Sequence, residues 1–232
     1  MVITMKKTLV FFMVIILTIG ACGCMKRDTK NDRMMSYINN KYDDNFTFER
    51  IYGGSAGSDV DKIIVSSEKY PGKEIRVICS ESDGKEIFSD TYLNIKFEEE
   101  TYNYLSNSLS EIFGLNIYLK YIPDDISSMK DASDDTTFSE YISNEDTYIY
   151  FSAAVCSEVT DENIVFDKIK NVFSDAVVCG DIYFISENVV LSGDNGKSNA
   201  LEYIKQGKYK KSLFFIKKTI DEYSKVEWKN GI

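Results

Sequence analysis

Five residues, Gly53-Gly54-Ser55-Ala56-Gly57, fit the G-x-S-x-G pattern in which a serine on a sharp strand-to-helix turn acts as a nucleophile. That chemistry needs an imidazole to accept the hydroxyl proton, and the 232-residue chain contains no histidine. Residues 61–67 read as a strand and not as the required helix, so the glycines are expected to form a hairpin loop. They also lack the lysine and the spacing of a phosphate-binding loop. Without imidazole the chain lacks the usual ligand of catalytic zinc as well.

Three other groups of side chains bear on chemistry. Two positioned carboxylates suffice for glycoside hydrolysis, but 37 acidic residues offer too many pairs for one to stand out. Asp124, Asp125, Asp131, Asp134 and Asp135 carry oxygen ligands suited to calcium, yet neither they nor Asp194-Asn195-Gly196 show EF-hand spacing, and a solvated acidic loop is the expectation. Glu98, Glu99 and Glu100 open a helix, where the macrodipole favours acids. Cys79, Cys156 and Cys179 have flanks that offer little to activate a thiolate. Their odd number rules out a complete disulfide framework; Cys156–Cys179 is the candidate bridge, and buried thiols are the favoured reading. Tyr102, Tyr104, Tyr118 and Tyr121 could stack on sugars or peptides, against a default of half-buried packing. No residue is assigned a catalytic, cofactor-binding or metal-ligating role, and no cofactor is expected.

Cys22 is different, because its context implies a modification. Lys6 and Lys7 precede an apolar run at 9–19 that ends in Gly20 and Ala21. A membrane span needs about 20 apolar residues, and the run is about half that, which suits a secretory signal. Ile19-Gly20-Ala21-Cys22 resembles the lipobox of bacterial lipoproteins. The resemblance covers only the signal and these four residues. It implies that Cys22 receives diacylglycerol and becomes the mature N-terminus, anchoring the protein on the extracytoplasmic face of the cell membrane. Two acyl chains hold stably where one is marginal. Cys24 is the rival acceptor.

Removing 1–21 takes away two lysines and no acids, so 25 basic residues remain against 37 acidic ones and the net charge becomes −12. Such a body repels phosphate backbones and excludes nucleic acid as a partner. It gains nothing from anionic lipid headgroups, which leaves the acyl chains to hold it at the membrane. Cationic peptides suit the charge, although most such charge only solvates a surface.

The elements that must position these groups follow from periodicity. Residues 22–31 read as a tether. A helix is expected near Asp32, with Met34, Tyr37, Ile38 and Lys41 on one face. Strands are expected at 46–52 and 61–67, then a hairpin of 74–80 with 86–97 turning at Asp83-Gly84. The clearest helix runs from Glu98 to Phe113 with Tyr102, Leu105, Leu109, Ile112 and Phe113 on its apolar face; Gly114 ends it before a strand at 115–122. An acidic, serine-rich linker or exposed loop at 123–146 contains a short helix at 137–143. A strand at 147–155, a helix capped by Thr160 and running to Phe173, and a strand at 176–186 come next. After a turn at 191–198 and a short helix at 200–206, the tail is ambiguous: 213–216 suits a strand, while Ile220, Tyr223 and Lys225 fit a helix.

This order predicts an α+β fold, with antiparallel sheet segments packed by amphipathic helices in two small two-layer modules, 32–122 and 147–232. The functional expectation is a membrane-anchored extracytoplasmic lipoprotein whose exported part is a non-catalytic binding or interaction module. Capture of a cationic peptide, as in immunity-type lipoproteins, is the alternative, and a carboxylate-dependent hydrolase the remoter one.

Overall fold

The computed structural model describes residues 29–53, 60–121, 123, 129, 131–185, 189–191, 196–219 and 222–231. Cys22, Cys24, the apolar run before them, Ser55 with its flanking glycines 54 and 57, Asp124, Asp125 and Asp194 lie outside the described residues. The fold is α+β, with a four-stranded and a five-stranded sheet. Among the described residues no helix is long and apolar enough to cross a membrane.

Helix α1 (Lys30–Lys41) starts at a capping box in which Thr29 accepts from the Asp32 amide and Asp32 accepts from the Thr29 amide. It buries Met34 and Ile38 among Ile63, Val65, Ile75 and Val77. These come from the antiparallel meander β1 (Phe46–Ile51), β2 (Val60–Ser67), β3 (Ile75–Ser82) and β4 (Lys85–Asp90). The β3–β4 hairpin turns at Asp83 and Gly84, both at positive φ (53° and 70°), as a type I′ turn requires. The strand expected at 86–97 stops at Asp90. Its carboxylate accepts the Tyr92 amide at 2.9 Å, an Asx-type contact that folds Tyr92–Lys96 into the short helix α2 instead.

Helix α3 (Glu98–Phe113) and strand β5 (Ile117–Tyr121) then leave the first sheet. β5 pairs antiparallel with β6 (Ile149–Cys156), so the boundary expected at 122 does not separate the sheets. The apolar positions of both α3 and β5 match the second core, and periodicity cannot say which sheet an amphipathic element covers. The linker is also not simply exposed. Ala132 and Thr136 are buried, and Met129 and Ala132 pack into the first core. Helix α4 (Phe138–Ile142) joins the cores, with Tyr141 in the first and Ile142 in the second.

The second sheet has the order β5-β6-β7-β8-β9, with β7 (Val178–Ile185), β8 (Lys211–Lys217) and β9 (Tyr223–Asn230). Only β6 and β7 are parallel, and helix α5 (Glu162–Val172) connects them. Its N-cap is Asp161, which accepts from the Asn163 and Ile164 amides, and not the expected Thr160. α3 and α5 cover one face, burying Leu105, Leu109, Ile169 and Phe173 against Phe151, Ile182, Phe184 and Phe215. Helix α6 (Gly196–Lys205), longer at its start than the expected 200–206, covers part of the other face through Ala200. The tail is strand β9. A bulge opposite Ile216 and Lys217 lets Tyr223 and Trp228 both reach the core despite their odd spacing.

Cys79, Cys156 and Cys179 form no disulfide. In the parallel β6–β7 register Cys179 lies beside Tyr150 and Cys156 beside Ile185. That six-residue offset corresponds to about 20 Å along a strand, far beyond disulfide reach.

Candidate functional site

A cavity of about 760 Å³ lies between α3, β5 and the first half of the chain. One wall is α3, whose Glu98, Tyr102, Ser106 and Ser110 recur every four residues along one side of the helix. The floor is β5. Lys197, near the start of α6, stands on the far side. Tyr70, Ile95 and Lys96 of the first half close one end. A second cavity of about 380 Å³ continues toward Leu115 and Ile117 and shares Tyr102, Tyr118, Leu119 and Lys197 with the first. Together they form one groove along β5.

Polar contacts fix its walls. The Asn116 side chain donates to the Val189 carbonyl at 2.9 Å and accepts from the Leu191 amide at 2.8 Å. Asn199 of α6 donates to the Val190 carbonyl at 2.8 Å. Lys96 is held by the carbonyls of Asp134 (2.6 Å) and Thr136 (2.9 Å). Glu98 pairs with Lys73, while Glu99, Glu100 and Lys120 are exposed. Tyr102 is 45% exposed. Burial, followed by the neighbouring Tyr102 phenol, pushes the Tyr118 phenol above its usual range. For Tyr70 the causes are burial and then the Asp134 charge.

Of the residues marked out by sequence, the structure gathers Glu98, Glu99, Glu100, Tyr102, Tyr118 and Tyr121 on this groove. It sends Tyr104 elsewhere, edge-on to Phe138 and Phe173 at 6.0–6.4 Å between ring centres. Sequence reasoning missed Lys197, and nothing local marks it, because its place depends on α6 crossing the sheet far along the chain. Gly53, two residues past the end of β1, has a positive φ (65°), as a hairpin loop permits.

Asp134 of the linker has other work. Asp134 accepts from the Asp43 amide (2.7 Å), Lys69 (2.8 Å) and the Tyr92 hydroxyl (2.9 Å). Burial alone would raise its carboxyl, but these donors outweigh it and hold it below the usual carboxylate range. A neighbouring cluster centres on Asp90, 1% exposed, which accepts from Tyr37 (2.8 Å), Tyr42 (3.1 Å) and Lys41 (2.9 Å). Burial and then the Asp90 charge raise both phenols strongly. Asp90 and Tyr42 of this cluster are buried, and Tyr37 and Lys41 are partly exposed beside them.

Phenol faces, exposed carboxylates, ammonium groups and a strand edge equip the groove for recognising an extended polar chain. No protein family profile and no curated protein sequence matches the chain. The solved structure of a DUF5037 family protein from Ruminococcus gnavus aligns with 83% of this chain and 93% of its own, at 13% identity and a TM-score of 0.35.

Proposed function

We propose that the protein is an extracytoplasmic lipoprotein, anchored to the cell membrane through Cys22, that acts by binding a ligand in the groove between α3, β5 and α6. The observation that carries the binding reading is the groove itself: roomy, lined by tyrosines and by charges of both signs, with Lys96 and Glu98 of its lining already held by polar partners. Pockets of several hundred Å³ with a few convergent polar groups are the usual form of a binding site. The signal-like N-terminus supports the anchor, and the acidic composition favours ligands with cationic groups.

Two measurements test the two halves of the reading. In cells fed a labelled fatty acid, Cys22→Ala abolishes labelling and moves the protein out of the membrane fraction; persistent labelling transfers the anchor to Cys24, and an unlabelled wild-type protein removes it. For the groove, Ser106→Trp with Ser110→Trp fills one wall without touching either core. The filled variant keeps the wild-type melting temperature and loses the peptide binding described below; unchanged binding places the ligand elsewhere.

A further inference from the structure

β5 is the edge of its sheet and lies at the bottom of the groove. The Cys156 amide donates to the Asn116 carbonyl at 3.4 Å, which makes Asn116 a hydrogen-bonded position of the β5–β6 ladder. Such positions alternate in antiparallel pairs. Tyr118 and Lys120 therefore turn their peptide groups toward β6, and Ile117 and Leu119 turn theirs outward. The opposite edge, β9, is blunted by charge: Lys225 and Lys229 flank Glu227 at 2.9 and 3.6 Å. β5 has no comparable charge row on its outer side, but a helix on each face. α3 stands over the Leu119 face and α6 over the Tyr118 face. The two walls carry opposite charge, Glu99 and Glu100 on the α3 side and Lys197 with Lys120 on the α6 side.

We propose that an extended peptide adds to β5 as a sixth strand, with lysine or arginine on alternate residues facing the carboxylates of α3 and with acidic or hydroxyl side chains on the intervening residues facing Lys197 and Lys120. The proposal rests on the binding reading above and specifies its ligand. Side chains of a strand alternate between faces, so two walls of opposite sign select a period-two charge pattern and not a net charge. In strand addition the backbone bonds supply affinity and the alternate side chains supply specificity.

The test uses the full chain and two capped octapeptides of identical composition, one alternating Lys and Glu and the other with four Lys followed by four Glu. Amide exchange at Leu119 and chemical shifts at Tyr102 and Tyr118 are followed during titration. The alternating peptide slows Leu119 exchange about tenfold or more at saturation; the block isomer binds about tenfold more weakly, as does the alternating peptide to the Glu99→Gln, Glu100→Gln variant. Methylating every second backbone nitrogen of the alternating peptide abolishes the protection in one of the two possible phases only. Equal binding of the two isomers overturns the charge pattern. Unchanged Leu119 exchange with shifts at Tyr102 and Tyr118 overturns strand addition while keeping the groove as a binding site. Silence at all three residues overturns both, and a concentration-dependent dimer that protects Leu119 without peptide assigns the edge to a second copy instead.

Discussion

The two sheets solve the problem of an interior in opposite ways. The second is packed by hydrocarbon: Phe151, Phe173 and Phe215 lie with ring centres 5.7–6.4 Å apart, and Gly180 leaves the room they need. Lys217, fully buried, donates to the Phe173 and Ser174 carbonyls, just past the end of α5, where the macrodipole favours positive charge. The first sheet, by contrast, buries a carboxylate, Asp90, at the end of its edge strand β4. Asp90 ties the end of α1 through Tyr37, Lys41 and Tyr42 to the end of β4 and to the Tyr92 amide. Hydrocarbon packing tolerates many arrangements of similar volume, whereas a buried charge tolerates only the arrangement that satisfies it. The first core is thus specified by bonds and the second by shape.

That contrast can be broken from either side. Asp90→Ala leaves Lys41 buried without its carboxylate and should cost about 3–5 kcal/mol in urea unfolding. If charge is there for arrangement and not for stability, Asp90→Leu with Lys41→Met recovers most of the loss; a double variant as weak as the single one would refute this. Phe173→Ala removes the ring shared by α5 and the second sheet, at about 3–5 kcal/mol with no rescue by any charge change. Gly180→Ala drives a methyl to within 2.7 Å of the Phe151 and Phe215 rings and should cost about 1–3 kcal/mol. Thr137→Ala, which removes the capping box of α4, should cost about 1 kcal/mol.

Acid sharpens the comparison further. Asp134 has a folded carboxyl below its ordinary value, so its contribution is complete above the unfolded value and is lost as pH falls through the folded one. Stability measured downward from pH 5 should decline, and Asp134→Asn should flatten that decline. An equal slope in the variant would show that other acids carry it.

What could be read in the sequence follows the same division. Local chemistry was readable: the Asp83-Gly84 turn, the Glu98–Phe113 helix and its end at Gly114 all stand where their residues place them. Elements whose form depends on distant partners were not. Asp90 bends the chain into α2 by bonding the Tyr92 amide, and the bulge opposite Lys217 hides the alternation of β9. For the groove, its tyrosines and glutamates could be named as candidates. Their meeting with Lys197 depends on where α6 crosses the sheet, and an amphipathic pattern records which face is buried without recording against what.

The path of the chain carries a last consequence. It passes from the first core to the second with α3 and β5, returns to the first with Met129 and Ala132, and goes back through α4. No single cut between the sheets yields two pieces that each own their whole interior. A protease nick near 123–129 should leave a clasped two-fragment particle that comes apart only on denaturation, and recombination could exchange neither half as a ready-made module. Such a chain is inherited, folded and lost as one unit.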